Sequence, residues 1–322
     1  MNTYLGIDIG SVTTKLALID ENGSLIKGLY LRTQGQPTKV LQTGLSKIKE
    51  AIDETVSIKA VGTTGSGRYL AGVVAGADVI KNEITAHAVA ASHVVPGVQT
   101  IIEIGGQDSK IIILRDGVPV DFAMNTVCAA GTGSFLDHQA ARLNINIEDF
   151  GETALKARNP VRIAGRCAVF AETDMIHKQQ VGHNLPDILA GLCEAMVRNY
   201  LNNVGKGKDI KPPVVFQGGV AANIAIKQAF EKALGLQVLV PDHFGIMGAI
   251  GAALIARDTI GENQTKFRGF EVANFQFAST SWECQGCPNL CEIVTLKLNG
   301  KTVARWGDRC GKWQGNVQDI SA

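Results

Sequence analysis

The sequence predicts an α/β fold of two related lobes followed by a small cysteine-rich extension. A segment at residues 7–15 recurs at residues 102–110, and each copy leads into strands and helices in the same order. Near the C-terminus this pattern gives way to a polar connection and then to four closely spaced cysteines. We therefore place the lobes at residues 1–92 and 93–260 and the extension at residues 261–322.

The repeat opens each lobe with an acidic turn between two strands. Isoleucine, glycine and lysine recur at the same offsets, and Asp8 and Glu103 are chemical equivalents. Each copy continues through a tight turn into a further strand, at residues 25–31 and 118–123. Each copy is thus predicted to form an antiparallel three-stranded meander.

Helices and further strands complete each lobe. In the first lobe, a helix over about 37–54 precedes a strand at 58–61; in the second, several helices precede strands at 213–216 and 236–240. Two lobes of related topology would place the two acidic turns on opposite sides of a cleft.

Composition excludes several classes of protein. The 322 residues include 45% hydrophobic ones, which excludes intrinsic disorder. A net charge of +1 offers no field to attract nucleic acid or an anionic membrane, and no signal peptide or membrane-length apolar run is present. We therefore expect a cytoplasmic protein without a nucleic-acid or membrane partner. Seven cysteines without an export signal favour metal or redox chemistry over disulfides.

Both acidic turns combine glycine with hydrogen-bond donors, which suits phosphate oxygens. The carboxylates of Asp8 and Glu103 would repel phosphate, so we predict a Mg²⁺ ion between them. The alternative is a pair of ordinary hairpin turns. A third glycine-rich turn, Gly218-Gly219, joins a buried strand to a helix and could pack against a base or ribose. No Walker A or G-x-G-x-x-G motif is present.

These three segments resemble the two phosphate motifs and the adenosine motif of the acetate and sugar kinase, Hsp70 and actin superfamily. The resemblance spans roughly residues 3–257 and implies two ribonuclease-H-like domains with ATP or ADP and Mg²⁺ in the cleft. It implies a last helix, about 243–257, packing near the first domain. On this basis the catalytic candidates are Asp8, Glu103, Gln107 and Asp108. The candidate ATP contacts are Gly10, Ser11, Val12, Thr13, Thr14, Lys15, Gly105, Gly106, Gln107, Gly218, Gly219, Val220 and Asn223.

Two cysteines of the second lobe, Cys128 and Cys167, each lie where an irregular segment meets a predicted helix. A thiolate is favoured at a helix N-terminus by the unpaired N–H groups and the helix dipole. Two thiolates are half of what a [4Fe-4S] cluster needs, and a two-fold dimer would supply four. The alternative is that both are small buried residues.

The motifs at residues 104–110, 128–133 and 167–172 together resemble the activators of 2-hydroxyacyl-CoA dehydratases, a family that includes ATPase subunits of benzoyl-CoA reductases. The resemblance implies a homodimer whose Cys128 and Cys167 hold a bridging [4Fe-4S] cluster. ATP hydrolysis would then drive one electron onto an iron–sulfur partner: a dehydratase, a reductase component or a double-cubane-cluster protein. The electron would come from ferredoxin or flavodoxin. Glu103 departs from the family, which usually has Asp there.

The glycine-rich turn at residues 62–68 is also similar to one in this family. It could contact the partner protein or order the domain interface. It could equally be an ordinary strand-to-helix connection.

The extension contains Cys284, Cys287, Cys291 and Cys310 around a predicted hairpin of strands 292–298 and 301–306. This spacing predicts a metal site, either a tetrahedral Zn²⁺ site or a second [4Fe-4S] cluster. Four reduced thiols in a loop are the alternative.

Two other functions share parts of this pattern. An N-acetylhexosamine-type sugar kinase of the same superfamily would use Asp8, Glu103 and the glycine turns without depending on Cys128. A nucleotide-switched interaction protein with a zinc module would bind ATP and have no redox role.

Overall fold

A computed structural model describes residues 1–53, 55–125 and 127–313, which form two compact units. The first contains Met1–Asn82 together with the chain from Gly248 onward, and the second contains Glu83–Met247. Three parts of the predictions lie outside the described residues: Glu54 at the end of the first helix, Thr126 beside the cysteine motif, and residues 314–322 of the extension.

The first unit is built on a five-stranded sheet. Its N-terminal part contains, in chain order, β1 (Asn2–Ile9), β2 (Thr13–Ile19), β3 (Leu25–Arg32), α1 (Pro37–Glu50), β4 (Ser57–Thr64), α2 (Arg68–Ala75) and β5 (Val79–Ile80). The strand order is β3-β2-β1-β4-β5. The first three strands form the predicted antiparallel meander, and β4 and β5 continue the sheet in parallel with β1.

The second unit repeats this topology. It contains α3 (Glu83–Val94), β6 (Thr100–Ile104), β7 (Ser109–Arg115), β8 (Val118–Asn125), α4 (Gly133–Arg142), α5 (Ile147–Ala154), α6 (Ala168–Gln180), α7 (Leu185–Asn203), β9 (Val214–Gln217), α8 (Ile224–Leu234) and β10 (Val238–Leu239). The order β8-β7-β6-β9-β10 has the same antiparallel and parallel pairings at matching places. The predicted duplication is confirmed, and each unit is a ribonuclease-H-like domain.

Local signals fix where the helices begin and end. Pro37 occupies the start of α1, where its missing N–H is not needed. The side chain of Asn223 caps α8, and Gly76 and Gly235 end α2 and α8 in the left-handed conformation that glycine adopts easily. None of the described helices is both long and apolar enough to cross a membrane.

The last helix, α9 (Met247–Ile260), packs directly on the first sheet. A Cβ atom at Gly6 of β1 or at Gly62 of β4 would collide with the backbone carbonyls of Ala249 and Ala252. Glycine in both strands therefore allows close helix-to-sheet contact, as the resemblance to the superfamily implies for this helix.

The extension adds a separate antiparallel sheet to the first unit. It contains β11 (Phe277–Glu283), β12 (Glu292–Leu298) and β13 (Lys301–Trp306) in the order β11-β12-β13. The last two strands match the predicted hairpin. The sequence did not predict β11, because nearly all of its residues are exposed and it lacks the alternation of a half-buried strand.

This extension shares the hydrophobic core of the first unit. Val272 and Leu296 are buried in one cluster with Leu41 of α1, and Gln42 donates hydrogen bonds to two carbonyls of the segment before β11. The compact units thus differ from the predicted lobes: α3 belongs with the second unit, and the chain from Gly248 onward belongs with the first. Long-range packing of α9 and the extension, which no local pattern encodes, causes the difference.

Candidate functional site

The first acidic turn lies between β1 and β2. The N–H of Gly10 donates to the carbonyl of Thr13 at 2.9 Å and closes the turn. Asp8 is buried at the end of β1, and the Lys15 ammonium donates to its Oδ2 at 3.1 Å. Residues 10–12 form a tip that is at least partly exposed. The predicted contacts at the tip are therefore placed where a ligand can reach them.

The threonines that follow lie deeper than the tip. Thr13 and Thr14 are buried, and the hydroxyls of Thr14 and Thr33 lie 3.0 Å apart. Thr33 also donates to the carbonyl of Gly10 at 3.1 Å. The Thr14 hydroxyl thus supports the turn from beneath, and it is not part of the open tip.

The second acidic turn repeats the first, between β6 and β7. The N–H of Gly105 donates to the carbonyl of Asp108 at 3.0 Å. The Lys110 ammonium donates to Glu103 Oε2 at 3.1 Å and to Asp108 Oδ2 at 2.7 Å. Glu103 and Lys110 are buried, whereas Gln107 is exposed at the tip. Both copies thus pair a buried carboxylate with a lysine seven positions later.

Electrostatics keeps Lys110 charged. Burial alone would lower the pKa of Lys110, but the carboxylates of Glu103 and Asp108 outweigh burial and hold its pKa above the ordinary value. Tyr200 donates to the carbonyl of Lys110 at 2.6 Å, and burial, together with the Glu103 charge, raises the pKa of its phenol well above the usual value. Lys110 therefore remains a cation beside Glu103 at neutral pH.

A glycine turn lies against each carboxylate. Gly65 follows β4 with a φ of +85°, and Gly218 follows β9 with a φ of +89°. An added Cβ would lie 2.5 Å from Asp8 Oδ1 at Gly65 and 2.8 Å from Glu103 Oε1 at Gly218. In each unit one carboxylate oxygen faces lysine and the other faces the glycine turn. The turn at residues 62–68 is therefore the structural counterpart of the predicted adenosine turn. The two turns differ in sequence, so the sequence alone does not show this equivalence.

The remaining residues of that third turn have different exposures. Gly219 is exposed, Val220 is buried, and the Asn223 Oδ1 accepts from the N–H groups of Ala225 and Ile226 at 3.0 and 3.2 Å. The Asn223 Nδ2 is buried and has no hydrogen-bond partner among the described residues. Its amide is thus committed to capping α8 through oxygen and can still donate through nitrogen.

Two of the three cysteines of the second unit, Cys128 and Cys167, precede helical segments. Cys128 precedes a 3₁₀ turn at Ala129–Gly131, and Cys167 precedes α6. Both are partly exposed. Cys128 Sγ lies 3.7 Å from the carbonyl of Arg166, the residue before Cys167. The fold therefore brings the two cysteine segments side by side at the surface. Two accessible thiols on adjoining segments fit a cluster that takes only part of its ligands from one chain.

Two asparagines that the sequence analysis missed hold these segments. Asn125 Oδ1 accepts from the N–H of Cys128 at 2.9 Å, and Asn125 Nδ2 donates to the Cys128 carbonyl at 2.9 Å. Asn199 Nδ2 donates to the carbonyl of Gly165 and lies 3.7 Å from Cys128 Sγ. The only sequence signal for Asn199 is a polar residue on the apolar side of a helix.

The cysteine segment is also tied to the second acidic turn. The N–H of Gly133, at the start of α4, donates to the Gly105 carbonyl at 2.8 Å. Ser134 donates to the Gly106 carbonyl through its N–H at 2.9 Å and its hydroxyl at 2.6 Å. The second acidic turn and the helix that follows Cys128 are therefore hydrogen-bonded directly to each other.

Large apolar side chains that neighbour the two cysteines in the sequence are exposed. Val127 is 95% exposed, Val169 69% and Phe170 65%. Each lies next to Cys128 or within three residues of Cys167. Exposed apolar residues gathered at one place are typical of an interaction surface.

The four cysteines of the extension lie at one end of its sheet. Cys284 directly follows β11, Cys291 directly precedes β12, and Cys310 follows β13. Because the strands are antiparallel, all three cysteines lie at the same end of the sheet. The N–H of Cys284 donates to the Cys291 carbonyl at 2.8 Å. Within the described ranges, however, no three His, Cys, Asp or Glu side chains are grouped closely enough to hold a metal ion.

The seventh cysteine, Cys193 on α7, is buried in the core of the second unit, as predicted. Burial, together with the nearby Glu194 charge, raises the pKa of its thiol far above the ordinary value. Cys193 is therefore an apolar core residue.

Comparison with known proteins gives consistent matches. Residues 5–256 match the BadF/BadG/BcrA/BcrD ATPase family. The (R)-2-hydroxyglutaryl-CoA dehydratase activating ATPase of Acidaminococcus fermentans is 36% identical over 262 residues, covering 80% of this chain and 98% of that protein. The crystal structure of component A of that dehydratase superimposes with a TM-score of 0.76 at 32% identity, covering 81% of this chain and 100% of the other. The structure of the activator of the 2-hydroxyisocaproyl-CoA dehydratase from Clostridium difficile, with bound ADPNP, superimposes with a TM-score of 0.70 at 31% identity. The match covers 80% of this chain and 94% of the other.

Proposed function

The chain belongs to the BadF/BadG/BcrA/BcrD ATPase family, and from that premise we propose that it is an ATP-driven one-electron donor. Its acceptor is an iron–sulfur enzyme, such as a 2-hydroxyacyl-CoA dehydratase, a benzoyl-CoA reductase-like enzyme or a double-cubane-cluster protein, and its own donor is ferredoxin or flavodoxin. The observation that carries the proposal is the pair of surface cysteines, Cys128 and Cys167, on adjoining segments that begin helices.

ATP and Mg²⁺ bind at the acidic turns. The N–H groups of residues 11–12 and 106–107 at the open tips are offered to phosphate oxygens, since those of Gly10 and Gly105 close the turns. Asp8 and Glu103 attract Mg²⁺, partly through water. Lys15 and Lys110 balance the buried carboxylates. Residues 218–220 and the Nδ2 of Asn223 face the adenosine. Gln107 and Asp108 complete the hydrolytic site.

Cys128 and Cys167 hold a [4Fe-4S] cluster together with the same two cysteines of a second copy. When bound, the cluster stores and passes on one electron. The apolar side chains of Val127, Val169 and Phe170 pack against the second copy and keep water away from the thiolates. Two-fold symmetry makes such a surface self-complementary.

Coupling between nucleotide and cysteines runs through α4. Ser134 and Gly133 join the carbonyls of the second acidic turn to the segment that carries Cys128. When the phosphates change during hydrolysis, this turn moves, and the cysteine segment moves with it. In the extension, Cys284, Cys287, Cys291 and Cys310 would have to move closer together than they are in this structure to bind Zn²⁺ or an iron–sulfur cluster.

Anaerobic purification with analysis of iron, zinc, sulfide and molecular mass tests this function. We expect a dimer with about four iron atoms per two chains, plus zinc in the extension, or about twelve if each extension holds a cluster. The cluster potential should differ between ADP and a non-hydrolysable ATP analogue. Absence of iron after reconstitution would exclude electron transfer, and equal potentials would exclude the nucleotide coupling.

Phe170→Ser is expected to weaken the dimer of the iron-loaded protein. Burying one phenylalanine contributes about 2 kcal/mol, and a two-fold interface contains two, so the dissociation constant should rise by about 10³-fold. Sedimentation velocity measures this. Val181→Ser is the matched control, since Val181 is 56% exposed at the opposite end of α6 and should leave the dimer unchanged. Equal dimerisation of both variants would place the interface elsewhere.

A further inference from the structure

Two buried oxygens lie at matching positions of the internal repeat. Thr64 pairs with Asp8 between β4 and β1, and Gln217 pairs with Glu103 between β9 and β6. Both side chains are fully buried. Over the described part of the chain, neither Thr64 Oγ1 nor Gln217 Oε1 has a hydrogen-bond partner.

Their surroundings make an accidental origin implausible. Burying an oxygen without a partner costs free energy, so valine or leucine would be the better residue if nothing ever bound there. An unpaired buried oxygen occurs at the same place in each unit. Thr64 and Gln217 each lie on the parallel strand beside the acidic residue, and each directly precedes a glycine with positive φ. Those glycines keep carbon atoms away from the carboxylate oxygens.

The orientation of Gln217 is fixed by a histidine. His87 Nδ1, on α3, lies 2.8 Å from Gln217 Nε2, and both groups are buried. In the tautomer whose Nδ1 accepts from Nε2, the amide oxygen of Gln217 is the free end of the side chain. On the sheet it shares a face with Glu103, because residues in register on parallel strands point the same way.

We propose that Thr64 and Gln217 are positioning residues that accept hydrogen bonds from water molecules of the bound Mg²⁺. The inference rests on the proposed Mg²⁺–nucleotide site. Mg²⁺ usually keeps several of its waters in proteins, and each of these needs an acceptor. A neutral oxygen beside each carboxylate supplies such an acceptor without adding charge. The same device occurs once in each unit.

Thr64→Val and Gln217→Met test this, since both keep the size of the side chain and remove the oxygen. In the presence of ADP, Mn²⁺ binding followed by electron paramagnetic resonance should weaken by about tenfold in each variant, the effect of one lost hydrogen bond. Thr64→Ser, which keeps the hydroxyl, should bind Mn²⁺ like the wild type. Without nucleotide or metal, the thermal midpoint of Thr64→Val should stay the same or rise, because an unpaired buried oxygen is gone. That of Gln217→Met should fall, because the buried hydrogen bond between Gln217 and His87 is lost.

Ser92→Ala is the matched control. The Ser92 hydroxyl on α3 is another buried oxygen without a partner among the described residues, and it belongs to neither strand ladder. Its loss should leave Mn²⁺ binding unchanged. Wild-type Mn²⁺ binding by both test variants, or their failure to fold, would overturn the inference. A wild-type protein that binds no Mn²⁺–ADP would instead contradict the proposed nucleotide site.

Discussion

Cys128→Ala is expected to remove the bound iron and abolish ATP-driven electron transfer, while the protein still binds nucleotide. In a symmetric dimer one substitution removes two of the four thiolates, so the cluster cannot be held. The acidic turns keep their own contacts, since Asp8 binds Lys15 and Glu103 binds Lys110 without help from the cysteine. Iron analysis, reduction of an added iron–sulfur acceptor and ADP binding measure the three effects separately.

Cys193→Ala is the control for that experiment. Cys193 is a buried thiol of the same unit, so its loss should reduce stability without releasing iron. Cys167→Ala should reproduce the Cys128 result. A sugar kinase of the same superfamily would keep full turnover in both surface variants, and that result would overturn the electron-transfer proposal.

The repeat made much of the fold predictable. Because residues 7–15 and 102–110 share their spacing, the sequence predicted two meanders, and the two sheets have the same strand order. The acidic residues and glycine tips followed from the same spacing, and so did their lysines. Chemical constraints at a strand end act within a few residues, so they remain visible in the sequence.

Features that depend on distant packing could not be predicted. Thr64 and Gln217 occupy equivalent positions in the two sheets, which only the strand register shows, because their flanking residues differ. Asn199 reaches the cysteine segment from α7, far along the chain. The placement of the extension with the first unit depends on the buried Val272 and Leu296. Apolar burial of this kind is non-directional and leaves no local motif.

Glu103→Gln is expected to reduce ATP turnover by about 10²- to 10³-fold, the usual cost of removing one preorganised electrostatic contact from an active site. The amide keeps the shape of the side chain but loses the charge that attracts Mg²⁺. Lys110 keeps Asp108 as a partner at 2.7 Å, so the fold should tolerate the change. Phosphate release at saturating ATP and a range of Mg²⁺ concentrations separates weaker metal binding from slower hydrolysis.

Two further variants decide what the extra methylene of Glu103 does. Glu103→Asp keeps the charge but withdraws the carboxylate from Lys110 and from the Gly218 turn, which now face Oε2 and Oε1. If those contacts position the metal, this variant should lie between the wild type and Glu103→Gln in turnover. Glu231→Gln is the control, because it removes a carboxylate that pairs with Lys227 at 2.9 Å on α8. It should leave ATP turnover unchanged. Wild-type turnover in Glu103→Gln would mean that the Glu103 carboxylate is not needed for hydrolysis. Asp8 would then be the only one of the two repeated acids that binds the metal.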